Sequence, residues 1–332
     1  MLTSQRVDAC QDSPRGLNSR GMEPTLNIVT GPTAVGKTSL CLEVANELDA
    51  EIVSCDSVQV YRGMDIGTAK ATARELAQVP HHCLDLFGVG EPGDVKMYME
   101  CARRCIEGIL GRGKQVLVTG GSGFYLKSFL EPVCDDVEVT PEIRAEVEGQ
   151  LLDGGLDIVA GRLMDLNPDG VGSLDLQNPR RVTRALERCL ATGRTVLELK
   201  GRMDALPKPF PGMAKRVCVL CRGDDALKSR IALRCQSMLA SGLVGEVEAL
   251  LGKGLRENPV ARSAIGYREV LGYLDGEVSS LEELEGLLNR NTWQLVRKQR
   301  KWFRTQLPGA RVVDLDTVRE PGLVEMFGGD GV

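Results

Sequence analysis

Residues 31–38 form a loop that could hold phosphate, because they match the pattern G-x-x-x-x-G-K-[ST]. Glycines let the backbone fold around phosphate oxygens, and a helix that begins at such a loop directs free N–H groups toward the anion. Lys37 would add a positive charge and the Thr38 hydroxyl a metal ligand. The loop consists of Gly31, Pro32, Thr33, Ala34, Val35, Gly36, Lys37 and Thr38. The pattern leaves the ester open, since ATPases, GTPases, small-molecule kinases and enzymes that hold a diphosphate all use it.

A carboxylate, Asp56, directly follows the strand-like run of residues 51–55. Open parallel sheets bind ligands outside the carboxyl ends of their strands, so Asp56 would lie at the same edge as the phosphate loop. There it could bind magnesium or accept a proton from a nucleophile. An Asx turn or a helix cap is the ordinary role of a single aspartate after a strand. The strand alone does not choose between these roles.

Arg234 occupies an unusual place on a predicted helix. On a wheel of about 100° per residue, Leu227, Ile231, Cys235 and Met238 form an apolar stripe, and Arg234 falls near its edge. A solvated arginine would more naturally lie on the opposite face. A packed stem with its guanidinium in water explains the position as well as a buried phosphate contact does.

The segments around these residues predict an α/β fold with a P-loop NTPase-like core, a parallel sheet and an all-helical insertion domain. Strands are expected at 26–30, 51–55, 115–119, 216–221 and 311–315, and helices at about 39–45, 95–110 and 280–306, the last opened by a capping box at Ser280. Between 133 and 205 no strand is evident, and Thr140-Pro141 is typical of a helix start. The predicted core is therefore 23–132 with 206–320, the insertion 133–205, and the tail 321–332.

Composition limits the classes of protein to consider. The net charge of −5 argues against a protein that coats nucleic acid nonspecifically, although local basic patches are compatible with it. No apolar run approaches the ~20 residues of a membrane span, and the polar residues 1–22 are expected to be a disordered extension. Eleven cysteines, several within helical patterns, suggest a reducing cytoplasm, and Cys218 and Cys221 lack the second pair of a zinc site. Nothing indicates an obligate interface, so a monomer is expected.

Several further segments resemble the tRNA dimethylallyltransferases, also called isopentenyl transferases. The most specific is Asp56-Ser57-Val58-Gln59-Val60-Tyr61-Arg62-Gly63-Met64-Asp65-Ile66-Gly67-Thr68-Ala69-Lys70. The resemblance recurs in Pro80-His81-His82, in 120–125, in 178–187, in 266–269 and in 297–304, and it spans about residues 25 to 305. It departs from the family pattern at Val35, where a small hydroxyl residue is common, and at Trp293, where a basic residue is common. No appended zinc finger is present, so bacterial-type members are the nearer resemblance.

The resemblance implies transfer of a dimethylallyl group from dimethylallyl diphosphate to the exocyclic amine of the adenosine 3′-adjacent to the anticodon. In that family the phosphate loop holds the diphosphate, and the aspartate matching Asp56 is the base. Lys37, Thr38, Mg²⁺ and backbone N–H groups would neutralise the leaving group. The position matching Arg234 contacts the diphosphate, and Arg230, one turn earlier, is a weaker candidate.

RNA contacts are implied at three places. Near the catalytic aspartate they are Ser57, Val58, Gln59 and Ser122, of which the Gln59 amide could pair with adenine. In the insertion they are Arg180, Arg181, Val182, Thr183 and Arg184, within a basic cluster that continues to Arg188 and Arg194. On the last long helix, Arg297, Arg300, Lys301 and Arg304 share the face opposite Leu295, Val296, Trp302 and Phe303. Such a face is usually only solvated, but it also suits a phosphate backbone.

Three other functions stay open on the sequence. An isopentenyl transferase acting on free adenine nucleotides would not need an RNA-binding surface. A small-molecule kinase would share the phosphate loop. An RNA-binding module regulated by a nucleotide would need no catalytic base.

Overall fold

The computed structural model describes residues 24–318 and 320–328, and the predicted N-terminal extension lies outside them. Two compact units divide the chain. One contains the described residues up to Leu126 and from Phe210 onward, and the other is Lys127–Pro209. The first unit contains a six-stranded parallel sheet in the order β3-β2-β4-β1-β5-β6. The mixed α/β class with a P-loop NTPase-like sheet is therefore confirmed.

The elements follow the predicted pattern, with additions. In order they are β1 (Thr25–Thr30), α1 (Lys37–Leu48), β2 (Ala50–Ser54), α2 (Ala73–Gln78), β3 (His81–His82), α3 (Val95–Gly111), β4 (Gln115–Gly120), α4 (Gly123–Leu130), α5 (Pro141–Asp165), α6 (Pro179–Thr192), α7 (Val196–Asp204), β5 (Ala214–Cys221), α8 (Asp224–Ala240), α9 (Leu243–Leu251), α10 (Pro259–Arg262), α11 (Tyr267–Leu274), α12 (Leu281–Gln306), β6 (Arg311–Asp314) and α13 (Leu323–Phe327). Every strand that the apolar runs predicted is present. The two-residue strand β3 and the short helix α2 carried too weak a pattern to be predicted.

The sheet determines which loops meet. Its central strands are buried along nearly their whole length, as parallel strands covered on both faces must be. Strand β4 lies between β2 and β1, with Ser54 opposite Thr119 and Thr30 opposite Gly120. The loops that follow these three strands therefore leave the same edge of the sheet side by side. They contain Asp56, Ser122 and the phosphate loop.

A close backbone crossing fixes the end of β4. A Cβ placed on Gly120 would lie 1.9 Å from the carbonyl oxygen of Cys55, which leaves no room for any side chain. Only glycine allows the loops after β2 and β4 to approach this closely. The spacing of Asp56 from the residues after Gly120 depends on this contact.

Helix α12 begins as predicted at Ser280, but the expected capping box is wrong in one half. The Ser280 hydroxyl accepts the N–H of Glu283, whereas the Glu283 carboxylate accepts the N–H of Ser279 rather than that of Ser280. The cap is thus shifted outward by one residue. At the other end of the chain, the segment interpreted as a tail contains α13, with Leu323 and Met326 buried.

The second unit contains helices joined by loops, and no strand is present among its described residues. Its core consists of Val147, Val159, Leu163, Val171, Val182, Leu186, Cys189 and Leu199. Helix α5 opens with Thr140 as its N-cap and Pro141 in its first turn, and it is interrupted at Gly155, whose φ is 73°. Among the described helices of the whole chain, none combines the length and apolarity that crossing a bilayer requires.

Candidate active site

The phosphate loop joins β1 to α1 in the conformation that anion binding needs. Gly36 has a φ of 111°, a left-handed value that favours glycine, and it is the N-cap of α1 without a side-chain hydrogen bond. The first N–H groups of α1 are therefore available to a ligand. Two guanidinium groups approach Gly36, since a Cβ there would lie 3.5 Å from Arg230 and 3.9 Å from Arg222. Backbone donors and cations thus converge on one small volume.

Lys37 lies in the loop with its ammonium turned inward. Its Nζ donates hydrogen bonds to the carbonyl oxygens of Gly31, at 2.8 Å, and Pro32, at 2.9 Å. Removal of the ammonium from water, together with the charge of Arg234, lowers the pKa of Lys37 to about 8. A diphosphate in the loop would bring negative charge to this ammonium and favour its protonated form.

Asp56 adopts the ordinary role of an aspartate after a strand and still retains a free oxygen. Its Oδ1 accepts the backbone N–H groups of Val58, at 2.9 Å, and Gln59, at 3.4 Å, which is an Asx turn. Within the described residues, Oδ2 has no hydrogen-bond partner. Burial raises the pKa of this carboxyl, while these two bonds and the charges of Lys37 and Arg234 oppose the rise. A carboxylate fixed by one oxygen can accept a proton at the other.

Arg234 extends from α8 toward the same place. Its Nη2 donates a weak hydrogen bond to the carbonyl of Thr68, at 3.4 Å, and removal of the guanidinium from water lowers its pKa. The electrostatic influence is mutual, because Asp56 raises the pKa of Arg234 and Arg234 lowers that of Asp56. Arg234 is half-buried, and its guanidinium contacts the backbone of Thr68, so it is not fully surrounded by water. Lys37, Asp56 and Arg234 form one coupled charge cluster.

Thr38 is the predicted metal ligand. Its side chain is exposed, and its hydroxyl has no hydrogen-bond partner among the described residues. In those residues no group of three or more His, Cys, Asp or Glu side chains could hold a metal ion. Magnesium is commonly bound through few protein ligands together with substrate phosphates and water. The donor set here fits an ion shared with a diphosphate.

Four residues predicted to contact RNA lie beside Asp56. The Ser122 hydroxyl accepts the N–H of Ser57 at 3.0 Å, and the two hydroxyls lie 3.2 Å apart, so the loops after β2 and β4 are joined. The contact of the Gln59 amide with adenine stays a prediction, although both ends of this amide have partners within the protein. Its Oε1 accepts from Ser54, and its Nε2 donates to the carbonyls of Thr68 and Ala69. These hydrogen bonds connect the two ends of the loop formed by residues 56–70, here called the signature loop. Val58 is half-buried, and an RNA contact there stays a prediction.

Sequence reasoning missed residues that position the phosphate loop. Gln299 of α12 accepts the N–H of Thr33 at 2.9 Å and donates to the carbonyl of Gly121 at 2.9 Å, which ties the loops after β1 and β4 together. Arg222 donates to the carbonyl of Val35 at 2.8 Å. Gln299 lies within the basic segment 297–304 and Arg222 directly follows the predicted strand 216–221, and no local pattern marks side chains that bind distant backbone groups. Arg230, which was predicted, also donates to this loop, at the carbonyl of Ala34.

The signature loop of residues 56–70 is held by one carboxylate that sequence reasoning also missed. Glu246 of α9 accepts the N–H groups of Asp65, Ile66 and Gly67 at 3.0, 2.7 and 3.1 Å, and the Tyr267 hydroxyl at 2.5 Å. Tyr267 packs against Gly67, where a Cβ would lie 2.5 Å from its ring. The signal that could have revealed this contact is an acid on the buried side of a helix.

Replacing Glu246 by alanine should destabilise the fold. Three backbone donors would lose a charged acceptor, and a hydrogen bond to a charged group contributes about 1.5–3 kcal/mol. Because water can replace the carboxylate at the exposed donor and bonds to one acceptor are not additive, we expect a loss of about 3 kcal/mol in the free energy of unfolding. Urea unfolding measures the change. Glu248 on the same helix is exposed, so Glu248→Ala should stay within about 0.5 kcal/mol of the parent. Equal midpoints for both variants would contradict the role of Glu246.

The basic face of α12 is only partly free. Arg297, Lys301 and Arg304 are exposed and have no carboxylate within salt-bridge distance in the described part of the chain. Arg300 differs, because it forms an ion pair with Asp224 and donates to the carbonyl of Arg222. The helix contributes no acid of its own to this face, but Asp224 reaches it from α8. An RNA contact at Arg300 would have to share the guanidinium with these partners.

In the helical unit, α6 presents Arg180, Arg181 and Arg184 at its exposed face. Val182 cannot contact RNA through its side chain, because it is fully buried in the core of this unit. Arg188 is also unavailable, since it donates two hydrogen bonds to Asp135. The Thr183 hydroxyl donates back to the carbonyl of Pro179 at 3.0 Å. The 3.6-residue period of the helix explains these corrections, because every third or fourth residue must face inward.

A family model, curated relatives and solved structures that resemble this chain all carry the names of one family. The family model described as IPP transferase matches residues 59–306. A tRNA dimethylallyltransferase of Opitutus terrae is 51% identical over 300 residues, which cover 90% of this chain and 96% of that protein. A tRNA dimethylallyltransferase of Salinispora arenicola is 42% identical over 283 residues, covering 84% and 80%.

A solved structure with a similar fold is a full-length tRNA isopentenylpyrophosphate transferase from Bacillus halodurans. It is 33% identical, with a TM-score of 0.63, and the match covers 88% of this chain and 90% of that one. The similarity thus extends through both the sheet and the helical segments rather than being confined to the phosphate loop.

Proposed function

The chain belongs to the IPP transferase family, and from this membership and the charge cluster at the sheet edge we propose how it transfers a dimethylallyl group to tRNA. The donor is dimethylallyl diphosphate, and the acceptor is the exocyclic amine of the adenosine 3′-adjacent to the anticodon. The observation that carries the proposal is the unpaired Oδ2 of Asp56 beside Lys37, Arg234 and the phosphate loop. A kinase could use both the loop and a carboxylate base, so it is the family membership that favours prenyl transfer over phosphate transfer.

The reaction exchanges one bond for another. The amine nitrogen attacks the terminal allylic carbon, the carbon–oxygen bond to diphosphate breaks, and the amine proton passes to Oδ2 of Asp56. An adenine amine is a poor nucleophile until it loses a proton, so a carboxylate at its edge promotes attack. Burial raises the pKa of Asp56, which makes its carboxylate a stronger base than that of an exposed aspartate.

The leaving group departs more readily when its negative charge is neutralised. Lys37, Arg234 and Arg230 supply positive charge around the loop, and the N–H groups of α1 supply fixed dipoles. When bound, Mg²⁺ would add a further positive charge at the phosphate oxygens, with the Thr38 hydroxyl as its protein ligand. Because these groups are held before the reaction begins, little reorganisation is needed as charge develops.

The tRNA must offer a base that is not stacked. Extrusion of the adenosine brings its amine to Asp56, and phosphates of the loop can meet Arg297, Lys301 and Arg304. On the helical unit, Arg180, Arg181 and Arg184 are the proposed phosphate contacts. The protein is proposed to act as a cytoplasmic monomer, and the absence of a disulfide bond among its described cysteines agrees with a reducing compartment. Size-exclusion chromatography with light scattering tests the monomer.

The direct test is incubation of the purified protein with dimethylallyl diphosphate, Mg²⁺ and unmodified tRNA, followed by nucleoside analysis of the digested tRNA. We expect isopentenyladenosine. Parallel reactions with free AMP and with ATP separate the nucleotide prenyltransferase and the kinase from this function. Prenylated AMP without prenylated tRNA, or phosphate transfer alone, would refute the proposal.

The pH profile of kcat/KM should be bell-shaped. On the acid side the rate falls as Asp56 is protonated, and because its pKa is raised this limb lies above the pH of an ordinary aspartate. On the alkaline side diphosphate capture weakens above about pH 8 as Lys37 loses its proton. The Lys37→Arg variant keeps its charge, so its alkaline limb should move upward even if its rate is lower. An unchanged alkaline limb in this variant would contradict the role of Lys37.

A further inference from the structure

An open basic pocket of about 620 Å³ lies between the first turn of α8 and the last turns of α12. Five cations and a single carboxylate line it, together with the indole of Trp293. Such a volume is within the range of small-ligand sites. On a chain with a net charge of −5, this concentration of positive charge marks a place for an anion.

The pocket shares the edge of the sheet with the phosphate loop. Helix α8 begins directly after β5, which is parallel to β1, so its first turn lies at the carboxyl ends of the strands. Arg300 lines the pocket and donates to the carbonyl of Arg222, whose own guanidinium donates to Val35 of the phosphate loop. Anything bound in the pocket is therefore adjacent to the elements that hold the proposed donor site.

Trp293 adds to the pocket an aromatic ring on which a planar group could stack. The Lys228 ammonium lies 5.4 Å from the centre of its ring, and the Arg300 guanidinium carbon lies 5.8 Å from it. Arg300 is held by Asp224, whereas Lys228 is exposed, with only a 3.6 Å ion pair to Asp225. A planar base can displace Lys228 from the indole, because base–aromatic stacking is stronger than an exposed cation–π contact. The released ammonium would then be available to a phosphate.

From these observations we propose that the pocket binds an unpaired nucleotide of the tRNA substrate, with its base stacked on Trp293 and its phosphates facing Arg297, Lys301 and Arg304. The inference rests on the proposed function, since it assumes that tRNA is the macromolecule at this edge. An aromatic platform beside a basic track is the usual means of holding single-stranded nucleic acid. Trp293 would thereby hold the strand open next to the site where a neighbouring base is modified.

Binding measurements with two RNA probes test the stacking. The first is a hairpin with the anticodon stem and its unpaired loop, and the second is a blunt duplex of the stem sequence alone. Trp293→Ala should weaken hairpin binding by about 5- to 100-fold and leave duplex binding unchanged, because only unpaired bases can stack. Trp293→Phe should retain most of the affinity. Trp293→Lys should bind the hairpin as poorly as the alanine variant, although it adds a charge.

Matched variants separate charge from stacking. Lys301→Gln should weaken both probes and reduce the slope of log K against log[salt] by about one, whereas Trp293→Ala should leave the slope unchanged. The chain has two tryptophans, so any hairpin-induced quenching of fluorescence that disappears in Trp293→Phe belongs to Trp293. Thermal unfolding of Trp293→Phe and Trp293→Ala confirms that both variants are folded.

Three results would overturn the inference: unchanged hairpin affinity in Trp293→Ala, equal weakening of hairpin and duplex, or full affinity in Trp293→Lys. A fourth is loss of dimethylallyl diphosphate binding in Trp293→Ala with hairpin affinity retained, which would make the pocket a small-anion site. Prenyl transfer by the parent protein to tRNA is assayed in the same preparations. Its absence would refute the proposed function, while the difference between the two probes still reports on the pocket.

Discussion

Replacing Asp56 by asparagine is expected to lower kcat for dimethylallyl transfer by about 10²- to 10⁴-fold, the usual contribution of a positioned general base. The amide oxygen can still accept the N–H groups of Val58 and Gln59, so the Asx turn is preserved. The amide cannot accept a proton, and the amine must then attack without assistance. Single-turnover assays with saturating tRNA and dimethylallyl diphosphate measure the change.

Stability and binding should move differently from catalysis in this variant. Burial raises the pKa of Asp56, so the ionised carboxylate is less favourable in the folded than in the unfolded chain, and stability from this group declines as pH rises through the raised pKa. Asp56→Asn should therefore unfold at a urea concentration no lower than the parent at neutral pH. Its affinity for tRNA should be within a few-fold of the parent.

A control for this variant lies at the opposite end of the same strand. Asp49 is exposed and has a φ of 53°, a left-handed conformation that asparagine accepts. Asp49→Asn should retain activity. Near-parental activity in Asp56→Asn would show that another group takes the proton, and the role assigned to Asp56 would be withdrawn.

Replacing Arg234 by glutamine should lower kcat/KM for dimethylallyl diphosphate by about 10²- to 10³-fold. This is the usual effect of removing a preorganised group that stabilises developing negative charge. Arg234→Lys keeps a point charge but loses the planar guanidinium, so a smaller loss is expected. The loss should lie mainly in kcat if the charge acts as the diphosphate departs. Initial rates over a range of donor concentrations separate kcat from KM.

Coupling to Asp56 gives this prediction a second readout. Arg234 lowers the pKa of Asp56, so its removal should raise that pKa further and move the acid limb of the pH profile toward neutrality. Arg230→Gln, on the same helix, changes a residue that donates to Ala34 but is not among the charges acting on Asp56, so its acid limb should stay in place. If Arg234→Gln changes KM alone and leaves the acid limb in place, the arginine is only a binding contact.

Much of the site could be predicted because it depends on short, contiguous patterns. The phosphate loop needs a strand, two glycines and a helix start within a few residues, and Asp56 needs only a strand before it. The strands themselves are apolar runs, which burial on both faces requires. In contrast, the two-residue strand β3 contains His81 and His82 and has no apolar signal of its own, because its pairing with β2 alone defines it.

The sequence could not show which polar side chains already have partners within the protein. The Gln59 amide could pair with adenine, but in the folded loop it is hydrogen-bonded to Ser54 and to two backbone carbonyls. Arg300 shares a helix face with Lys301, but only the arginine lies within reach of Asp224. A polar group takes the partner that folding brings close, and that partner is usually distant in sequence.

The sequence by itself determined the phosphate loop, the carboxylate after β2, the α/β class and the membership suggested by residues 56–70, because each is written in residues that are neighbours along the chain. Only the tertiary structure decided that Asp56 keeps an unpaired oxygen, that Lys37 and Arg234 act on its pKa, and that Glu246 and Gln299 hold the loops in place. The physical reason is distance. Electrostatic coupling and hydrogen bonds act across a few ångströms of space, and residues that lie far apart in the sequence reach that separation only when the sheet and its covering helices have assembled.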